Sequence, residues 1–101
     1  MDHFSALADP TRRAILELLA QRGELPAGDI AAQFDVSAPA VSQHLKVLRE
    51  AGLVRMERRA QQRIYRLNPE GMREIEEWVG HTRRIWQQRL DSLEAFLKLE
   101  E

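Results

Sequence analysis

From Asn68 onward, apolar residues recur at helical spacing through Ile75, Trp78, Val79, Ile85, Trp86, Leu90, Leu93, Phe96 and Leu97, a stripe of about 30 residues on one face of a single helix. Asn68-Pro69 opens it, because Asn caps free amide groups and Pro at the first helical position loses no intrahelical hydrogen bond. At 1.5 Å per residue such a helix spans roughly 45 Å. That is more than a domain of about 100 residues can cover, so the apolar side needs a second chain. Dimeric assembly is the first expectation.

The remainder of the chain divides at its glycines and prolines. Phe4, Leu7 and Ala8 suggest a short leading helix, and Asp9-Pro10 starts another whose apolar stripe (Ala14, Ile15, Leu18, Leu19) ends at Gly23. A third helix runs from Ala27 to Phe34, with Ile30, Ala31 and Phe34 on one side. Asp35-Val36-Ser37 makes a tight connection, and Ser37 caps a fourth helix from Ala38 to about Ala51, stopped by Gly52. Two short helices joined by so brief a link form a helix-turn-helix candidate. After Gly52 the period changes to alternation: Val54 and Met56, then Tyr65 and Leu67, are apolar on either side of a polar link at Ala60-Gln61-Gln62. This predicts a β-hairpin. The expected fold is mostly α with one small hairpin, in the order α-α-α-α-β-β-α: a dimeric winged helix-turn-helix with a recognition helix over 38–51 and a wing over 54–67. Residues 1–101 are read as one domain.

The formal net charge of -1 conceals an asymmetry. Ser37 to Arg66 contains seven basic residues (Lys46, Arg49, Arg55, Arg58, Arg59, Arg63, Arg66) against Glu50 and Glu57, hence +5, while the rest carries -6. A basic block inside an acidic chain suggests one face meant for a polyanion. On the fourth helix, Val41, Leu45 and Leu48 share the inner side, with Pro39, Ser42, Gln43 and Lys46 opposite. That is the division a recognition helix requires. Gln43 matches adenine N6 and N7, Ser42 bonds several base edges, and Ala38 and Pro39 suit a thymine methyl. Ser37 and the free amides beside it suit a phosphate, as does Lys46. Such a surface alone would be an ordinary solvated helix. Arg58, Arg59 and Arg63 around the hairpin tip shift the balance, because always-charged side chains concentrated on a projecting loop are unfavourable unless they meet anions.

Composition excludes other classes. The chain is 44% hydrophobic and 31% charged, values of a folded protein rather than a disordered one, and no segment approaches the roughly 18 apolar residues of a membrane span. The start, Met1-Asp2-His3-Phe4, lacks the basic and apolar regions of a secretion signal, so a cytoplasmic location is expected. Cysteine is absent, which removes disulfides, thiolate metal sites and thiol sensing together. No nucleophile arrangement or phosphate-binding glycine motif is present, so neither an enzyme nor a cofactor is expected.

The stretches ADPTRRAILELL, SAPAVSQHLKVLREAGLV and RIYRLNPEG, in this order and spanning nearly the whole chain, closely resemble the ArsR-type winged-helix transcriptional repressors of bacteria. The resemblance is greatest to the cysteine-free, autorepressor-like branch with a Trp-containing last helix. It implies a homodimer paired through the first and last helices, with 1–22 and 70–99 contributing the interface and Phe4, Leu7, Trp78, Val79, Ile85, Trp86, Leu90 and Leu93 as interface residues. It also implies an imperfectly palindromic double-stranded operator and repression, often of the protein's own operon. The departures are specific. There is no Cys-x-Cys element and no Asp/His ligand pair on the last helix, and Pro26 stands where many relatives have a capping Ser or Thr. The competing reading is a winged-helix module that recruits another protein and scarcely touches DNA.

The histidines are the remaining metal candidates. Glu77 and His81 share a helix face with Glu74 one turn before, but an exposed Glu-His surface pair is the simpler reading and no metal is expected. His44 is expected to contact phosphate or pack, and His3 to lie in a flexible terminus. Trp78 and Trp86 are expected to pack in the core or interface; no effector is identified.

Overall fold

The computed structural model describes residues 2–100. Its elements are α1 (His3–Ala6), α2 (Pro10–Arg22), β1 (Glu24–Pro26), α3 (Ala27–Ala32), α4 (Ala38–Glu50), β2 (Val54–Arg59), β3 (Gln62–Leu67) and α5 (Pro69–Leu99). The helix starts follow the capping logic. The carboxylate of Asp9 accepts from the Arg12 amide at 3.0 Å, the Ser37 hydroxyl from the Ala40 amide at 3.2 Å, and the Asn68 side chain from the Glu70 amide at 3.3 Å. α3 starts on Pro26 without a side-chain cap.

Three expectations need correction. β1 was not foreseen: Leu25 pairs with Tyr65 and Pro26 with Ile64, so the hairpin becomes a three-stranded antiparallel sheet in the order β1-β3-β2. Three residues ending in proline give no alternation to detect, and proline is tolerated there because β1 lies at the sheet edge. Gln62 belongs to β3 opposite Arg59, which shortens the wing turn to Ala60-Gln61, with Ala60 at φ 54. α3 ends at Ala32, two residues before Phe34.

The core joins Ile15 and Leu19 of α2, Ile30 of α3, and Val41, Leu45 and Leu48 of α4 to Leu53, Val54 and Tyr65 at the sheet. Each such side chain contributes about 1.5–3 kcal/mol by leaving water. α4 closes with the Leu53 amide donating to Leu48 O at 2.9 Å and the Gly52 amide to Arg49 O at 3.0 Å, while Gly52 takes φ 77. This left-handed helix stop folds Leu53 back onto the last turn. The Gly52 carbonyl then accepts from Asn68 Nδ2 at 2.8 Å. Gly71 packs against the same peptide group: a Cβ there would overlap Gly52 O and stand 3.0 Å from its carbonyl carbon. α5 is thus seated directly on the end of α4. Met72 and Ile75 reach the core, and every residue from His81 to Glu100 is exposed.

Candidate nucleic-acid interface

α4 is split as its period requires. Val41 and Leu45 are 1% exposed and Leu48 is fully buried, whereas Ala38, Pro39, Ser42, Gln43, Lys46 and Arg49 are exposed. Between α4 and the wing lies a groove of about 450 Å³ lined by Ser42, Gln43, Lys46, Arg49, Glu50, Arg63 and Tyr65. The Ser37 hydroxyl spends an acceptor position on its own helix and retains its proton for a further partner.

The wing sorts its arginines. Arg58 and Arg63 face each other across the β2–β3 ladder, a like-charge pairing that destabilises a sheet by roughly 0.2–1 kcal/mol. Arg59 is engaged instead: its guanidinium donates to both Glu24 carboxylate oxygens, one at 3.0 Å, and to Glu57 at 3.0 Å. The Arg59 hydrogen bonds, then the charges of Arg59 and Arg66, hold the Glu24 carboxyl below its ordinary range, while the hydrogen bonds to Glu24 and Glu57 and the negative charges of both push the Arg59 guanidinium up. Arg55 stands 4.0 Å from Glu70. Among the described residues, Lys46, Arg49, Arg58 and Arg63 enter no ion pair.

His44 is half-buried against α2. Its Nδ1 lies 3.4 Å from Arg12 Nη1 and 3.9 Å from Asp9 Oδ2. The Arg12 amide hydrogen bond, with the charge of the Arg12 guanidinium adding, keeps the Asp9 carboxyl below its usual range. His3 is not in a loose terminus: it belongs to α1, and its Nδ1 stands 3.4 Å from Glu74 Oε2. Among the described residues, no three His, Asp or Glu side chains gather around a point where a metal could sit.

The apolar stripe of α5 stands out of the domain. Trp78, Val79, Ile85, Trp86, Leu90 and Leu93 are all exposed, Trp86 at 61%. Phe4 joins them, its ring centroid 4.9 Å from that of Trp78 at 59°. Leu7 instead packs against the core. Sequence reasoning missed Glu24 and Arg12 as partners, because neither pairing has a local signal: the residues joined are 35 and 32 positions apart. Arg49 could have been found, since it lies one turn beyond Lys46.

Comparison with known proteins agrees with this architecture. Residues 7–57 match a helix-turn-helix domain family. The chain is 41% identical over 76 residues to the transcriptional repressor SdpR of Bacillus subtilis, covering 75% of this chain and 83% of that one. It is 52% identical over 69 residues to the HTH-type transcriptional regulator Rv2034 of Mycobacterium tuberculosis, covering 68% of this chain but only 64% of that longer one. The crystal structure of an ArsR family transcriptional regulator superposes with a TM-score of 0.72 at 32% identity, covering 83% of this chain and 86% of that one. With its helix-turn-helix, basic wing and these relatives, the chain belongs to the ArsR-type winged helix-turn-helix family and is a DNA-binding transcriptional regulator.

Proposed function

We propose that the protein is a cytoplasmic homodimeric repressor in which α4 enters the major groove of a palindromic operator and the wing follows the adjacent backbone. The observation that carries this reading is the separation of its cations. Among the described residues, Arg55 and Arg59 are matched with Glu70, Glu24 and Glu57, whereas Lys46, Arg49, Arg58, Arg63 and Arg66 on α4 and the wing enter no ion pair. Unmatched charges beside the exposed Ser42 and Gln43 fit a phosphate backbone flanking a line of base edges. In this reading Ser37 and Lys46 hold phosphate, Ala38, Pro39, Ser42 and Gln43 read bases, and Arg58 and Arg63 bind backbone or minor groove. Arg59 stiffens the wing. Repression is supported by the likeness to a transcriptional repressor. A homodimer through α1 and α5 is supported by the exposed stripe from Trp78 to Leu93 and by the Phe4 ring lying on Trp78.

The test is operator selection from random duplexes by the purified protein, followed by fluorescence anisotropy. Gln43→Ala should relax base choice at one position in each half-site, and Lys46→Ala should weaken binding to all sequences about equally. Binding that does not change between about 50 and 200 mM salt would sink the proposal, because phosphate contacts must release counterions.

A further inference from the structure

The Arg12 side chain spans three elements. From α2 its Nε donates to Ala6 O at 2.6 Å and its Nη2 to Ser5 O at 3.3 Å, both at the end of α1, while Nη1 points at His44 Nδ1 on α4 at 3.4 Å. A guanidinium has only donors, so for this contact to be a hydrogen bond His44 Nδ1 is the bare acceptor and the ring proton sits on Nε2, against the pull of the Asp9 carboxylate 3.9 Å from the same nitrogen. We propose that Arg12 is a positioning residue for DNA recognition: it ties α1 to α4 and fixes the tautomer and setting of His44 on the flank of the recognition helix. This rests on the DNA-binding reading above.

Three features of the contact support it. All three nitrogens of the Arg12 guanidinium are engaged, Nε and Nη2 on the Ala6 and Ser5 carbonyls at the end of α1 and Nη1 on α4, an arrangement that a lysine's single ammonium cannot reproduce. Asp9 caps α2 through the Arg12 amide, so the backbone that carries the guanidinium is itself held in place. The cluster also lies on the flank of α4: Val41, Leu45 and Leu48 anchor the helix to the core, and the His44 contact resists rotation about that seam. Shifts of α1 are thereby passed to the helix that carries Ser42 and Gln43.

The experiment compares DNA affinity, the melting curve and the imidazole ¹⁵N spectrum of His44 in the full chain. A hydrogen bond from a charged donor contributes about as much as a ten-fold change in an equilibrium constant, so Arg12→Lys and His44→Leu should each weaken operator binding about ten-fold while remaining folded. The double variant should be no weaker than either single one. His44→Asn, whose side-chain oxygen falls near the position of Nδ1, should recover most of the affinity. In the native protein the ¹⁵N shifts should report bare Nδ1, and in Arg12→Lys a mixture of tautomers. Unchanged affinity in Arg12→Lys with an unchanged spectrum would overturn the proposal, as would additive losses in the double variant. Should Arg12→Lys fail to fold, the His44 pair decides, and equal losses in His44→Leu and His44→Asn would overturn it. Failure of the native protein to bind DNA in a salt-dependent way would instead refute the reading on which this rests.

Discussion

The carboxylate of Glu24 on β1 grips the guanidinium of Arg59 on β2 across the intervening strand β3. The bridge runs over the sheet face that carries Ile64, which is 6% exposed. The smallest strand of the fold thereby anchors the projecting hairpin.

That bridge gives the protein an acid limit. The Glu24 and Asp9 carboxyls are both held below their ordinary values in the folded chain, by the Arg59 hydrogen bonds and the Arg12 amide respectively. Their contribution is complete above the unfolded-chain values of about 4 and is lost as pH falls through the lower folded values. The melting temperature should therefore be level from pH 7 to about 5 and decline below about 4. Glu24→Gln should flatten part of that decline, as thermal melts followed by circular dichroism across this range would reveal.

The two classes of wing arginine should separate in a salt titration. Arg63→Ala should reduce the slope of log affinity against log salt by about 1, as expected for one lost phosphate contact. Arg59→Ala should leave the slope nearly unchanged and instead raise amide hydrogen exchange in β1 and at the wing tip. Equal slope changes in both variants would show that Arg59 leaves Glu24 to bind phosphate.

Trp86→Glu tests the exposed stripe. A carboxylate at a residue 61% exposed in the single chain should scarcely alter the fold, but across a closed apolar interface it is strongly unfavourable. Sedimentation should show monomers, and operator affinity should fall by well over ten-fold. A dimer of undiminished affinity would place the interface elsewhere.

Gly71→Ala tests the seat of α5. In an ordinary helix interior the change would stabilise by roughly 1 kcal/mol. Here the new methyl meets the Gly52 carbonyl, which is backbone and cannot rotate aside, so a net loss of about 1–3 kcal/mol is expected from overpacking. Denaturant unfolding measures it directly, and a stabilised variant would mean that α5 lifts from α4 without penalty.

The elements that sequence conveyed are those whose signals are local. Asp9, Ser37 and Asn68 each sit one residue before their helix and cap it, and Val41, Leu45 and Leu48 declare the inner side of α4 by spacing alone. The winged architecture and the exposed face of α5 followed. What stayed hidden depends on partners distant in sequence. β1 exists because β3 offers an edge to Leu25, Arg59 loses its freedom to Glu24, and His3 is ordered by Glu74. Counting arginines near the hairpin tip overstated the free charge there, since only pairing across the sheet distinguishes Arg59 from Arg58 and Arg63.

The close seating of Gly71 on Gly52 turns α5 into a lever pivoted at the foot of the recognition helix. From Gly71 to Leu99 the arm is roughly 40 Å at 1.5 Å per residue, so a tilt of 5° at the pivot moves its far end by about 3.5 Å. In reverse, a grip on the far end specifies the direction of α4 to within a few degrees. In the proposed dimer, whatever holds the distal turns of α5 therefore governs the distance between the two recognition helices, and with it which operator spacings the two subunits can straddle.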